Sequence, residues 1–438
     1  MKHFMILRHY LFTPLILLGW LVMTANLAWA QPIKVEVVKT DGKYQLLRGG
    51  QPYHIKGAGL ANGDLESLVA HGGNSIRTWS TVEENDGTLK LLDAAHELGV
   101  TVSLCLYTGV ERHGFDYYDD DAVARQFEEI RERVLRYKDH PALLTWIIGN
   151  ELNFDYKNPR VYDAVNDISK MIHELDPNHP TTTTIAGFND ILLEIIAERA
   201  PDLDFISFQV YAQLYVLPEF IEDIDYSAPF FVTEWGAIGH WEVPKTEWGA
   251  PIEQDSTEKA QTYQRGYRKI LEPLGDQLIG NYVFLWGQKQ EKTPTWYGLF
   301  TENGEATEAI DVLHEIWTGN TPDNRAPRIE SVRLNGKAKH KNIRLKRGKA
   351  YKIEAKISDP DGDTLEYLWE VKRESEATQV GGDYEEAIAS LDAGIAETGN
   401  PKTRLTAPQE AGAYRLFVYA RDGQGHAAHA NIPFYVDE

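Results

Sequence analysis

The chain alternates short, strongly apolar runs with longer segments in which apolar residues recur at a spacing near 3.6, from residue 54 to residue 317. Short apolar runs are typical of strands buried on both faces of a parallel sheet, and the longer segments are typical of amphipathic helices. The predicted strands are residues 54–60, 74–79, 100–107, 143–149, 181–186, 204–210, 229–234 and 278–286. The predicted helices are residues 64–71, 88–98, 119–137, 159–175, 189–199, 217–224, 256–271 and 306–317.

This succession of strand and helix pairs predicts an α/β fold, the (β/α)8 TIM barrel. A doubly wound open sheet is the alternative, but no glycine-rich phosphate loop follows the first predicted strand, as dinucleotide binding in that fold requires. A hairpin with Asp41-Gly42 at its turn precedes the barrel. We therefore assign residues 31–321 to the barrel domain.

A Pro-containing linker at residues 321–327 ends the helical pattern. Beyond it, short alternating runs are separated by Asp- and Gly-containing turns, a pattern that predicts a C-terminal all-β immunoglobulin-like sandwich. We assign residues 322–438 to the linker and this domain, and we expect few contacts across an ordinary domain boundary. The predicted strands are residues 331–334, 351–357, 364–371, 403–406, 414–420 and 428–436.

The first thirty residues have the features of a secretory signal peptide. Lys2 and Arg8 precede an apolar run at residues 11–22, and Ala28-Trp29-Ala30 supplies a small-x-small cleavage pattern. The apolar run is shorter than the roughly 20 residues of a spanning helix, which disfavours an uncleaved anchor. We therefore predict a secreted or periplasmic protein with no membrane span after cleavage.

Composition narrows the classes of partner and the source of stability. The formal net charge is -22 and no large basic cluster interrupts it, so nucleic acid is a poor candidate partner. Aromatic residues make up 11% of the chain, and many fall beside predicted strand ends, which suits stacking against sugars. Cys105 is the only cysteine, so the chain has no internal disulfide and depends on packing.

Two apolar runs end in a glutamate. The run that begins at Leu143 ends in Gly149-Asn150-Glu151, and the run that begins at Pro229 ends in Glu234-Trp235-Gly236. A single glutamate is more often a cap or a salt-bridge partner, but burying an ion is costly and the same pattern occurs twice. Because active sites of barrels lie at the carboxyl ends of strands, we predict a carboxylate pair of the type that cleaves glycosidic bonds with retention.

Other strand ends offer groups that suit this chemistry. Asn150 can hydrogen-bond a sugar hydroxyl next to the reacting carbon, Arg77 and Tyr211 can contact the Glu234 carboxylate, and Trp286 can form the floor under the sugar. Each has an alternative interpretation as a salt bridge, a core phenol or a packed indole. Further substrate-binding candidates lie beside Glu234 and in the loops of the same face: Trp235, His113 and Trp241. The histidines lack the spacing of metal ligands and the aspartates around Gly362 fit an Asp-rich turn better than a calcium site, so we predict no metal and no cofactor.

The sequence resembles the catalytic barrels of glycoside hydrolase clan A, and most of all those of family 2. The resemblance covers residues 50–317 and is carried by Asn74-Ser75-Ile76-Arg77-Thr78, by the segment at residues 140–151 and by Thr233-Glu234-Trp235-Gly236. It implies that Glu151 is the acid/base and Glu234 the nucleophile.

The chain departs from family 2 in ways that bear on the substrate. Enzymes of that family usually place sandwich domains before the barrel, whereas this chain has its predicted sandwich after it, and Trp235 stands where they tend to have a smaller aromatic or His. Exo-acting galactosidase or glucuronidase specificity is therefore not carried over. The layout is closer to endo-acting family 5 enzymes and to β-glucan transglycosylases, which favours a polysaccharide.

We therefore predict a secreted retaining β-glycoside hydrolase that acts on a β-linked polysaccharide or oligosaccharide. A β-glucan transglycosylase is the alternative, and a noncatalytic carbohydrate-binding protein is a third possibility. The sequence leaves open the sugar, the linkage, endo or exo action and the oligomeric state. For the C-terminal domain, we expect a tether that holds the barrel on an insoluble glycan without contributing to the cleft.

Overall fold

The computed structural model describes residues 31–60, 63–379, 381–391 and 394–438. The predicted signal peptide at residues 1–30 lies outside the described residues. Among the described residues, no helix combines the length and the apolar character that crossing a membrane requires.

A small antiparallel sheet precedes the barrel and consists of β1 (Val35–Thr40), β2 (Lys43–Arg48) and β3 (Gln51–Pro52). Val35 and Leu46 pack in one apolar cluster with Leu144, Phe205 and Phe231. The last three residues lie at or next to the first residue of their barrel strands. The small sheet therefore covers the amino-terminal end of the barrel and leaves the carboxyl end for a site.

Eight parallel strands close into a barrel, as the sequence predicts. Neighbouring strands follow chain order around the barrel, and the last pairs with the first. The strands are β4 (Gly57–Leu60), β5 (Ser75–Arg77), β6 (Thr101–Leu106), β7 (Leu143–Ile148), β8 (Thr181–Ala186), β9 (Phe205–Gln209), β10 (Phe230–Trp235) and β11 (Leu278–Trp286). All six residues of β7 are buried, which agrees with a run that is apolar on both faces.

Helices follow the barrel strands as the 3.6-residue spacing predicts. Several begin at side chains that cap the first turn: Asp64 accepts from the backbone N–H of Ser67, and Asp255 forms a capping box with Glu258. The helices are α1 (Leu65–Ala70), α2 (Gly87–Glu97), α3 (Asp120–Tyr137), α4 (Arg160–Leu175), α5 (Asp190–Arg199), α6 (Leu217–Asp223), α7 (Ser256–Gly266) and α8 (Glu308–Thr318).

The C-terminal part of the chain is an all-β sandwich with its own apolar core. One sheet has the order β12 (Arg328–Leu334), β14 (Ala350–Ser358) and β16 (Lys402–Thr406). The other has the order β13 (Ile343–Lys346), β18 (Ala427–Asp437), β17 (Gly412–Arg421) and β15 (Glu366–Arg373). The sequence analysis missed β13 because only Ile343 and Leu345 alternate there with polar residues, which is too short a signal.

The expectation of few contacts between barrel and sandwich is wrong. Arg415 of β17 is 1% exposed and donates to the backbone carbonyl of Pro251, at 2.9 Å. Asn431 of β18 donates to the buried carboxylate of Glu253 in the barrel, at 2.6 Å. Alternation along these strands predicts the apolar core of the sandwich, but no local sequence pattern indicates that residues of the barrel contact its polar side chains.

Candidate active site

A pocket opens at the carboxyl ends of the barrel strands, and both candidate glutamates line it. Its volume is about 420 Å³, within the range of small-molecule sites. Glu151 follows β7, and Glu234 lies near the end of β10. The fold therefore brings together two carboxylates that lie 83 positions apart in the chain.

Three side chains donate hydrogen bonds to the carboxylate of Glu234. Arg77 Nη1 donates to Oε1 at 2.6 Å, and Tyr211 Oη donates to Oε2 at 2.8 Å. Trp79 Nε1 also donates to Oε1, at 2.7 Å. Glu234 is only 5% exposed, so these donors compensate its charge and fix the direction of both oxygens.

The amide of Asn150 is oriented by its neighbours. Its Oδ1 accepts from Arg77 Nη2 at 2.8 Å and from Gln209 Nε2 at 2.9 Å. Thr184 Oγ1 lies at 3.4 Å from the same oxygen. Because the carbonyl oxygen is engaged by protein donors, the Nδ2 group is the part of the amide that remains to donate to a ligand.

Glu151 stands on an unusual stretch of backbone. Gly149 has a φ of 74° and Glu151 a φ of 51°, a left-handed conformation that is uncommon for a residue with a side chain. The backbone N–H of Glu151 donates to Thr184 Oγ1 at 3.1 Å, which helps to hold this turn. The turn brings the half-buried side chain of Glu151 to the pocket wall instead of continuing the strand.

Burial and the negative charge of Glu234 raise the pKa of Glu151 to about 8. The positive charges of Arg112 and Arg77 act in the opposite direction but do not cancel this effect. A carboxyl group with such a pKa holds its proton at neutral pH and can donate it. The two glutamates thus have different environments: Glu234 is surrounded by donors, and Glu151 is half-buried beside a negative charge.

The loop candidates also reach the pocket. His113 lines it from the loop after β6, and Trp241 lines it from the segment after β10 with 54% of its surface exposed. Tyr107, the residue that follows β6, is 48% exposed and lines the pocket as well. These exposed rings offer surfaces on which sugars can stack.

Trp235 and Trp286 do not line the pocket. Trp235 is 1% exposed, packs against Tyr263 and donates to Asn281 Oδ1 at 3.1 Å. Trp286 is fully buried, with Trp317 among its ring contacts. The pairing of β11 with β4 shifts register between Val283 and Trp286. Strict alternation therefore does not predict to which side of the strand the last side chains of β11 point. The aromatic residue of β11 that lines the pocket is Phe284.

Sequence reasoning missed several residues of the site. Trp79 carries a usable signal, since it lies two positions after Arg77 and extended chain repeats its facing every two residues. Gln209, at the end of β9, could also have been found as a polar strand end. Gly381, Gly382 and Asp383 line the pocket from the sandwich domain, and no local pattern predicts that.

One group of three carboxylates in the described part of the chain is close enough to share a cation, and it lies in the sandwich. It comprises Asp359, Asp363 and Asp422. Asp359 Oδ1 accepts from the backbone N–H of Asp361 and Asp363, and Asp422 Oδ1 accepts from that of Gln424. These are the bonds of ordinary Asp turns, which agrees with the interpretation of the segment around Gly362.

Fold and pocket together define a TIM barrel with a pair of carboxylates in a pocket at the carboxyl ends of its strands. Residues 89–238 match the family described as "Glycosyl hydrolases family 2, TIM barrel domain". This segment contains both Glu151 and Glu234. The resemblance to family 2 barrels stated from the sequence is thereby confirmed.

Curated and solved relatives are more distant. The probable mannan endo-1,4-β-mannosidase C of Aspergillus terreus is 28% identical over 153 residues, which represent 26% of this chain and 38% of that protein. The β-glucuronidase 2 of Bacteroides uniformis covalently bound to cyclophellitol-6-carboxylate aziridine has a TM-score of 0.51 at 15% identity, over 92% of this chain and 48% of that one. The Bifidobacterium dentium β-glucuronidase has a TM-score of 0.50 at 20% identity, over 66% of this chain and 49% of that one.

These relatives are longer proteins. The chain spans about half the length of the two β-glucuronidases and 38% of the mannosidase. At identities of 15% and 20%, the structural likeness shows a common fold.

Proposed function

We propose that this chain is a retaining β-glycoside hydrolase that acts on a β-linked oligosaccharide or polysaccharide. The observation that carries the proposal is the unequal pair in the pocket: Glu234 is held by three donors, and Glu151 has a pKa raised to about 8. Retaining enzymes need this division between a nucleophile and an acid. We also propose that the protein acts outside the cytoplasm, because its first thirty residues have the features of a signal peptide.

In the first step, Glu234 attacks the anomeric carbon of the substrate. A bond forms between a carboxylate oxygen and that carbon, while the bond from the carbon to the leaving oxygen breaks and its electron pair stays with the oxygen. Glu151 gives its proton to the leaving oxygen, so that a neutral alcohol departs. The product on the protein is a glycosyl ester of Glu234.

In the second step, Glu151 acts as a base. Formation of the ester removes the charge of Glu234, which is the largest cause after burial that raises the pKa of Glu151. Glu151 then accepts a proton from water, the oxygen of which attacks the anomeric carbon and releases Glu234. Two inversions give retention of configuration.

Asn150 can assist both steps. Its Nδ2 group is left to donate because Oδ1 is engaged by Arg77 and Gln209. A donor fixed in this way can bind the hydroxyl next to the anomeric carbon, where hydrogen bonds strengthen as charge develops in the transition state. Phe284, which lines the pocket, offers an apolar surface for the sugar ring.

A transglycosylase would follow the same steps with a sugar hydroxyl in place of water. Tyr107 and Trp241 expose their rings at the pocket. These rings support the transglycosylase as a second candidate, because an acceptor sugar needs a surface on which to stack. Product sizing after incubation with an oligosaccharide separates the two: hydrolysis gives only shorter products, and transfer also gives longer ones.

The nucleophile is tested with 2-deoxy-2-fluoro β-glycosides bearing activated leaving groups. We expect a covalent adduct on Glu234, found by peptide mass mapping, and no turnover by Glu234→Gln. Glu219→Gln is the matched control, because Glu219 is exposed on α6 and does not line the pocket. An adduct on another carboxylate contradicts the assignment, and sugar binding without turnover by the unmodified chain favours the noncatalytic alternative.

A further inference from the structure

We propose that the sandwich domain supplies a substrate-binding residue, Asp383, to the pocket, where it recognises hydroxyl groups of a neutral sugar together with Arg112 and His113. Gly381, Gly382 and Asp383 line the pocket beside the residues of the barrel. They belong to a segment between β15 and β16, residues 374–379 and 381–391, which we call the cleft loop. The inference rests on the proposed function, since it names the sugar class that the same pocket takes.

The cleft loop is fixed to the barrel from both sides of Asp383. Glu385 is 8% exposed, and its carboxylate accepts from Gln290 Nε2 at 3.0 Å and from the backbone N–H of Lys292 at 2.9 Å. Lys289 Nζ donates to the carbonyl of Gly382 at 2.9 Å. A binding group held in this way is preorganised, so little ordering entropy is lost when a ligand binds.

Asp383 has the chemistry of a sugar-binding carboxylate. His113 Nε2 lies 3.0 Å and 3.1 Å from its two oxygens, and Arg112 Nη2 donates to Oδ1 at 3.3 Å. Burial acts to raise the pKa of Asp383, but the bonds from His113 and Arg112 outweigh it and lower the pKa. The side chain is still 30% exposed, and each carboxylate oxygen can accept more than one hydrogen bond, so sugar hydroxyls can donate to it.

Arg112 adds donors to the same wall of the pocket. Its side chain is 12% exposed and lies over the ring of Phe154 at 5.4 Å. Among the described residues, its Nε and Nη1 have no hydrogen-bond acceptor. Buried donors without acceptors are rare in native proteins, and a ligand or bound water is one usual explanation.

The charges of the pocket favour a neutral sugar over a uronic acid. In the described chain, Arg112 and Lys289 line the pocket and Arg77 contacts Glu234 from beneath its surface, and each of these three cations pairs with a carboxylate. The distances are 2.6 Å for Arg77 with Glu234, 3.3 Å for Arg112 with Asp383 and 2.8 Å for Lys289 with Glu291. A sugar carboxylate would need a cation that is not already neutralised. Hydroxyl groups, by contrast, can bind to both members of such pairs.

The test compares the unmodified full-length chain with Asp383→Ala and with Glu386→Ala. Glu386 is exposed on the same cleft loop and does not line the pocket, so it is the matched control. The substrates are p-nitrophenyl β-glucoside, β-mannoside, β-galactoside and β-glucuronide, with the corresponding β-linked trisaccharides of the neutral sugars. Thermal melting of each variant checks that the fold is retained.

We expect the unmodified chain to prefer one neutral glycoside over the glucuronide. Asp383→Ala should raise KM for that glycoside by about tenfold or more, as the loss of hydrogen bonds to a charged group predicts, with a smaller change in kcat. Glu386→Ala should leave both unchanged. An unchanged KM in Asp383→Ala, or a preference of the unmodified chain for the glucuronide, overturns the inference. A fall in kcat alone also overturns it, because Asp383 would then act through Glu151.

A binding measurement separates failure of this inference from failure of the proposed function. Trp79 and Trp241 line the pocket, so titration with the trisaccharides should change tryptophan fluorescence. If the unmodified chain binds a trisaccharide without cleaving it, the proposed function fails, and the dissociation constant of Asp383→Ala still decides the inference. If the unmodified chain neither binds nor cleaves any of these sugars, the inference is wrong as well.

Discussion

Arg77 Nη1 lies 2.6 Å from Glu234 Oε1, while Nη2 of the same guanidinium lies 2.8 Å from Asn150 Oδ1. One buried side chain from β5 thus connects the nucleophile candidate on β10 with the amide that follows β7. Two parallel N–H groups of fixed geometry are what this connection needs, and an ammonium group cannot supply them.

Replacing Arg77 by Lys should therefore be damaging although the charge is kept. We expect kcat/KM to fall by roughly 10²–10³, the usual effect of losing a preorganised donor at an active site. The measurement is steady-state kinetics on an activated aryl glycoside, with thermal melting to establish that the variant is folded. A kcat/KM within twofold of that of the unmodified chain would show that the two N–H groups of the guanidinium are not required.

The sequence was sufficient for the barrel and for the centre of the site. The run Leu143–Ile148 is apolar throughout and Glu151 follows it, so periodicity finds the strand and the rules of parallel barrels find the face. The same reasoning brings Arg77 and Tyr211 to Glu234, and the structure has both contacts. Information of this kind is local and repeats in each strand.

Two features of the site could not be predicted from the sequence, because one depends on an irregularity in a strand and the other on the packing of two distant segments. Strict alternation along β11 puts Trp286 at the pocket, but a register shift before it leaves that residue in the core and Phe284 at the pocket. Asp383 reaches the pocket only through the packing of the sandwich on the barrel. That packing depends on buried contacts such as Arg415 with Pro251, and neither residue has a local pattern that reveals its partner.

The corrected location of the aromatic residues predicts a contrast between two variants. Phe284→Ala should raise KM, because Phe284 lines the pocket, and Trp286→Phe should leave KM unchanged while lowering stability through a less filled core. Kinetics and urea unfolding of both variants give the two readouts. If Trp286→Phe raised KM and Phe284→Ala left KM unchanged, Trp286 and not Phe284 would be the residue that contacts the sugar.

The raised pKa of Glu151 predicts the basic limb of the pH profile. The reaction needs Glu151 protonated, so kcat/KM should fall as pH rises through a pKa of about 8. Glu151→Gln should abolish this limb and should harm substrates with poor leaving groups far more than activated aryl glycosides, whose departure needs no proton. An unshifted basic limb in Glu151→Gln would assign it to another group.

The same pKa shift has a consequence for stability. Unfolded Glu151 ionises near its ordinary pKa of 4.5, whereas the folded chain holds the proton up to about 8. The proton on Glu151 therefore contributes fully to the free energy of unfolding below pH 4.5, and this contribution is lost as pH rises to about 8. Glu151→Gln cannot ionise, so it should melt above the unmodified chain at pH 8 and differ less from it at pH 5. A variant that melts lower at pH 8 would contradict the assigned environment of Glu151.

The buried contacts between barrel and sandwich replace the expectation of a loosely attached tether. Arg415 donates to Pro251 of the barrel and to Asn431 Oδ1, at 2.9 and 2.7 Å, and it pairs with Glu374 at the start of the cleft loop. Removing one member of a buried ion pair leaves the other uncompensated, which typically costs about 3–5 kcal/mol. Arg415→Met should therefore lower the free energy of unfolding by an amount of this order.

The measurement is urea unfolding of the full chain, followed through tryptophan fluorescence, with Arg404→Met as the control. Arg404 is exposed on β16, in the sheet that does not carry Arg415. Because Glu374 begins the cleft loop, Arg415→Met should also raise KM for the neutral glycoside, although Arg415 does not line the pocket. If Arg415→Met had the same free energy of unfolding and the same KM as Arg404→Met, the contacts between barrel and sandwich would contribute little, as the Pro-containing linker led us to expect. A loss of stability without a change in KM would show that the anchors at Glu385 hold the cleft loop by themselves.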